Sequence, residues 1–374
     1  MDLSRFDNQK LRRRDFQFSL ARLLVAMTLC ALLLSLQLPL FMEWMGWGLL
    51  VLVVFSVLFC DWSYRHTMHG TRALAAGDFR QALAAFDRAI EADPEDAGRR
   101  YLRGIAHAWI GNLEAAVDDY TKAIALDGRY APAWVNRAGV RRRRREFQEA
   151  IDDASIGLCL LPPDPDLLVL RVAALVVRGS CYGALGRIGE GEEELEEAVR
   201  IAPERWEPYL LRGSVRLDAK CYEQALGDFD AAVARGARDR TTLVRRATAL
   251  FKLGDHDAAV AQIEACLRLY PRAVDALCTY AWLLATCPND ALRDGERALR
   301  LATTARALGA EGEWLCEASL AAACAELGRF DEAVEHAEKG LARAPPLGRG
   351  ELEAPLAAYR EGRPYRDRGS ASQE

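Results

Sequence analysis

Five arginines, Arg103, Arg137, Arg178, Arg212 and Arg246, recur along this 374-residue chain, and sixteen residues after each stands a polar partner: Asp119, Asp153, Glu194, Asp228 and Gln262. Four of the five partners are carboxylates, so the spacing predicts ion pairs within the chain, Arg103 with Asp119, Arg137 with Asp153, Arg178 with Glu194 and Arg212 with Asp228. A partly buried pair of this kind adds little net stability but costs about 3 to 5 kcal/mol when one partner is removed. The competing reading lines the arginines along a groove for an acidic peptide, and the facing carboxylates weigh against it. Arg141 to Arg145 form an unbroken basic run. Such a run suits a solvated helix end, where it complements the helix dipole; an acidic partner segment or anionic lipid headgroups are the functional alternatives.

Catalytic patterns are sparse. The histidines His66, His69, His107, His256 and His336 are dispersed, and the sequence lacks a phosphate-binding glycine loop, a nucleophile elbow and a His-Glu-x-x-His motif. The reading is a non-enzyme with no cofactor and no metal. Ten cysteines fall singly with no Cys-x-x-Cys pair, which reads as small buried hydrophobes in a reducing compartment. A net charge of −5 and a pI near 5.8 offer no broad cationic field to attract nucleic acid.

The elements that must position the arginines come from a period of thirty-four residues running from about Met68 to Pro345. Gly70, Gly104, Ala138, Gly179, Gly213, Ala247, Ala281 and Ala321 mark the eighth position of successive copies, where two helices must lie close together. Gly77, Gly111, Gly186, Gly254 and Gly328 mark the fifteenth, where a first helix ends in a left-handed residue. Small and aromatic residues follow in a second helix, as Ala82, Phe86 and Ala89 or Ala116, Tyr120 and Ala123. A period of this length predicts stacked two-helix units, which usually present a surface to other proteins. Two excesses interrupt it, seven residues around Pro162 to Pro165 and six around Thr286 to Asp290.

Phe86, Ala89 and Pro94, with Trp134, Ala150 and Pro162, resemble the signature of the tetratricopeptide repeat family over about three quarters of the chain. The resemblance implies an all-α solenoid, a right-handed superhelix of helical hairpins whose groove is lined by the first helix of each pair. The groove positions then supply the partner-binding candidates Tyr101, Ile105, Trp109, Arg142, Arg143, Leu217, Phe251 and Lys252, an apolar and aromatic surface with scattered basic charge. Thr67, Thr71 and Pro132 stand where parts of the family's chaperone-tail clamp would be, so that clamp is not carried over. The stretch Ala281 to Ala305 and the basic tail Tyr359 to Tyr365 are similar to terminal segments of some bacterial membrane-attached members of the family.

Ahead of the repeats, Leu23 to Phe41 and Trp44 to Cys60 form two apolar runs with aromatic residues Trp44, Trp47, Trp62 and Tyr64 at the ends of the second. These predict a two-helix transmembrane hairpin. Arg5, Lys10, Arg12, Arg13, Arg14 and Arg22 before the first run, against no Lys or Arg in the turn, put both termini in the cytoplasm. A cleaved signal peptide is the competing reading, but no Ala-x-Ala-like site follows the first run.

The expected organisation is a basic cytoplasmic segment at 1–18, a membrane region at 19–62 with helices at about 20–41 and 44–60, a seven- to eight-repeat array at 63–346, and a capping helix with a disordered tail at 347–374. The expected function is an adaptor in the bacterial cytoplasmic membrane, its array cytoplasmic, binding a protein or peptide and no nucleic acid. The alternatives are a self-associating scaffold, which would make the protein a homo-oligomer, and a regulatory subunit of a separate enzyme.

Overall fold

The computed structural model describes residues 62–309, 313–344 and 346–369, and the transmembrane hairpin expected at 20–60 lies outside them. Every described element is helical; there is no strand among these residues. The chain divides into two compact units after Asp164, at the place where the first excess interrupts the period.

The first unit holds three hairpins. They pair α1 (62–75) with α2 (Phe79–Ala92), α3 (Ala97–Trp109) with α4 (Leu113–Leu126), and α5 (Ala131–Arg143) with α6 (Phe147–Leu160). The second unit opens with a 3-10 turn at Pro165–Leu167. It then pairs α7 (Leu168–Ala184) with α8 (Ile188–Ile201), α9 (Glu207–Asp218) with α10 (Tyr222–Ala234), and α11 (Arg240–Lys252) with α12 (His256–Leu269). Next come α13 (Val274–Thr286) with α14 (Gly295–Leu308), then α15 (Glu313–Glu326) with α16 (Phe330–Arg343), capped by α17 (Pro346–Arg360).

Local chemistry starts and stops these helices. Side chains of Asp78, Asp96, Asn112, Asp239, Asp255 and Asp294 accept from the backbone N–H three residues on, satisfying donors that a helix N-terminus leaves open. The turn inside each hairpin requires positive φ, which glycine adopts freely. Two repeats lack the glycine, and there Arg145 and Lys220 are themselves forced to a φ of 63°. In the seventh repeat the same position is Pro288, whose ring forbids that conformation. The chain instead leaves α13 through an extended Cys287 and a 3-10 turn at Asp290–Leu292, which accounts for the second excess.

Within a hairpin the eighth position is small because the second helix drives a side chain against it. A Cβ on Gly104 would lie 2.7 Å from the Tyr120 ring, and one on Gly213 2.8 Å from Phe229. At Ala138 the residue sixteen on is the small Ala154, whereas at Ala247 it is Ile263. Apolar burial of this kind is the main stabilising term, and Phe86, Tyr120, Leu195, Phe229 and Ile263 are almost wholly enclosed.

Pro165–Ala184 is the one helical stretch among the described residues long and apolar enough to cross a bilayer. It is a core element of the second unit, with Val172 through Val177 buried.

Of the tail expected to be disordered beyond α17, the described part, 361–369, is ordered, and 370–374 lie outside the described residues. Residues 363–369 run extended along the second unit, and Asp367 is buried there.

Candidate functional site

The arginine ladder is a set of hydrogen bonds, forked through two nitrogens at Arg103, Arg137 and Arg212. Arg103 donates to both oxygens of Asp119 at 2.8 and 2.6 Å, and Arg137 to both oxygens of Asp153 at 2.8 Å. Arg178 reaches Glu194 at 2.6 and 2.7 Å, and Arg212 reaches Asp228 at 2.6 Å. The fork matches guanidinium geometry to a carboxylate. Arg246 donates to Gln262 at 2.6 Å.

The same arginines also reach backwards. Nη1 of Arg103 meets Asp87 at 2.6 Å, Arg137 meets the Thr121 hydroxyl at 2.9 Å, and Arg246 meets Asp230 at 2.7 Å. Each of these partners lies sixteen residues before its arginine, on the second helix of the preceding hairpin, so one guanidinium ties two repeats together. Sequence reading looked only forwards; the same interval counted in the other direction would have found these groups. Arg141 and Arg216, one turn after Arg137 and Arg212, add a second cation to Asp153 and Asp228, each at 2.9 Å or less. Hydrogen bonds to Asp119, working against burial, hold Arg103 above the ordinary arginine pKa. Burial lowers that of His107, whose ring lies 3.9 Å from Asp119.

The groove candidates separate into three groups. Tyr101, Ile105 and Phe251, expected to face a ligand, are buried: Tyr101 and Ile105 share a core cluster with Tyr120, and Phe251 shares one with Ile263. Tyr101 receives a hydrogen bond from Asn136 of the next hairpin and meets Tyr130 edge-on. Leu217 is half-buried and packs with Tyr209 and Phe229.

A second group remains open on the first unit. Trp109 is 50% exposed and lies parallel to Phe79 in an offset stack, with ring centroids 5.7 Å apart. Arg143 is exposed and donates to the Ala108 carbonyl at 2.9 Å, while Arg142 is half-buried. An aromatic plate beside guanidinium groups is the composition of a protein-binding hot spot.

The third group is Lys252 alone, covered by the tail. Its ammonium lies 2.6 Å from the Asp367 carboxylate. Burial works against the charge, but Asp367 prevails and holds the Lys252 pKa above the ordinary lysine value. No group of three or more His, Cys, Asp or Glu side chains is placed to hold a metal among the described residues. One pair of thiols does meet, Cys278 and Cys316 with sulfurs 3.1 Å apart.

A family model described as a tetratricopeptide repeat matches residues 67–131 and 244–286, and a second of the same description matches 172–205. These stretches of the chain are tetratricopeptide repeats. Among curated relatives, this tetratricopeptide repeat protein is 26% identical over 225 residues to DnaJ homolog subfamily C member 3 of Mus musculus, covering 55% of this chain and 42% of the relative. It is also 26% identical over 203 residues to the tetratricopeptide repeat and J domain-containing co-chaperone DNJ1 of Fusarium oxysporum, covering 53% and 38%. The chain thus spans about two fifths of the length of these relatives. A solved tetratricopeptide repeat protein from Parabacteroides merdae superposes with a TM-score of 0.55 at 18% identity, over 70% of this chain and 99% of that one. At that identity the likeness is one of fold.

Proposed function

We propose that this tetratricopeptide repeat protein is a non-catalytic adaptor that holds a protein or peptide partner against the first helices of its hairpins. The observation that carries the reading is the exposed Trp109–Phe79 stack beside Arg143. Tryptophan and arginine side by side are the residue types that dominate protein-binding hot spots. The repeat family and the co-chaperone relatives support protein binding as the mode of action. The apolar runs at 20–41 and 44–60, with basic residues before the first, support anchoring in a bacterial cytoplasmic membrane with the repeats on the cytoplasmic side.

Crosslinking in native membranes followed by mass spectrometry tests the reading. Trp109→Ala should remove at least one crosslinked protein that the unaltered chain retains. Identical partner sets would eliminate the Trp109 surface as a binding determinant.

A further inference from the structure

The tail of the second unit binds as a separate peptide would. Residues 363–369 cross the C-terminal ends of three successive first helices, α15, α13 and α11, without forming a helix of their own. The backbone N–H of Asp367 donates to the Thr286 carbonyl at 2.9 Å, at the end of α13. Its carboxylate, with the side chain 4% exposed, accepts from Lys252 Nζ at 2.6 Å and from Trp282 Nε1 at 3.2 Å. Arg366 reaches Glu326 at 2.6 Å and the Ala285 carbonyl at 3.3 Å. Tyr365 leans on the Trp282 ring, with centroids 6.2 Å apart. Gly369, at a φ of 58°, sits so close to the Lys252 carbonyl that a Cβ would collide with it.

These contacts use the four devices of peptide recognition: a main-chain hydrogen bond, an ion pair in each direction, an aromatic contact and a position only glycine fills. The flanking Arg363 and Arg368 are exposed. A segment needed only to cap the last repeat would pack on α17 and its neighbour, yet this one extends past them to α11.

We infer that Lys252, Trp282, Glu326 and the carbonyl ends of α11 and α13 form a binding site for an extended peptide reading aromatic, arginine, aspartate, any residue, glycine, and that the chain's own Tyr365 to Gly369 fills it until such a ligand displaces them. Tethering gives the tail a local concentration on the order of millimolar, so a ligand must exceed that threshold or bring contacts of its own. The site rests on the adaptor reading and belongs to the second unit, whereas Trp109 belongs to the first.

The probe is a fluorescein-labelled peptide with the sequence of residues 361–369, followed by fluorescence anisotropy. A chain ending at Gly362 should bind it at least tenfold more tightly than the full chain. The peptide carrying asparagine in place of aspartate, or a shortened chain with Lys252→Ala, should lose at least tenfold. Equal affinity of the full and shortened chains, or indifference to the asparagine peptide, overturns the site. Should the shortened chain fail to fold, full-length Asp367→Lys takes its place: it must bind the unaltered peptide more tightly than the parent, and no gain refutes the inference. Retained Trp109-dependent crosslinks alongside a negative peptide result would remove this site and leave the adaptor reading standing.

Discussion

Arg137 and Asp153 meet as a parallel fork with both side chains less than one tenth exposed, 9% and 3%. Arg137 depends on Asp153 for its only carboxylate within the fork, whereas Asp153 is also held by Arg141 at 2.8 Å. Asp153→Ala should lower stability by about 3 to 5 kcal/mol. The joint replacement Arg137→Met with Asp153→Leu should recover only part of that loss, because Arg141 still loses its bond to Asp153. Urea unfolding of the three variants checks it; equal stability of Asp153→Ala and the parent would show that water screens the pair.

The inner turn of two hairpins holds a side chain where glycine belongs. Arg145→Gly and Lys220→Gly should each stabilise their repeat by about 0.5 to 1 kcal/mol, because relief of the left-handed conformation exceeds the added freedom of the unfolded chain. A urea midpoint that moves down in both variants would contradict this. The same substitution in mid-helix, where φ is negative, is expected to destabilise.

Gly104 faces the Tyr120 ring with no space for a methyl group. Gly104→Ala should cost about 1 to 3 kcal/mol by overpacking. Adding Tyr120→Leu should cost less on that background than it does alone, because the two residues compete for one volume. Thermal melts of the double-mutant cycle measure the coupling, and strict additivity would refute the proposed contact.

Thiol chemistry follows burial. Burial pushes the Cys266 pKa from 9.0 up to about 11, and hydrogen bonding to Cys316, with burial, raises Cys278. Raised thiol pKa values mean that the folded chain keeps protons the unfolded chain releases. The corresponding stability is complete below pH 9 and falls as pH rises toward 11, with a slope of about 1.4 kcal/mol per pH unit for each such thiol. In native protein at neutral pH, iodoacetamide should label the exposed Cys159 and Cys221 first, and Cys266 and Cys278 only after denaturation. Peptide mass mapping reads the order.

Much of the repeat fold was legible because its signals are local and repeated. Gly104 and Tyr120 announce a close approach through their sizes, and Arg103 and Asp119 through their charges, in positions that recur from copy to copy. The surface was less legible. Tyr101, Ile105 and Phe251 have the character of ligand-contacting residues, but the packing of successive hairpins decides whether they meet solvent, and no single repeat contains that information.

The sequence by itself determined the helical hairpins, their inner turns and the pairing of arginines with carboxylates sixteen residues on, because each depends on short-range spacing seen several times over. Only the tertiary structure decided that Lys252 meets Asp367, 115 residues away, and that Cys278 touches Cys316. Such contacts arise once, at residues that no other repeat duplicates, and depend on how the hairpins stack on one another.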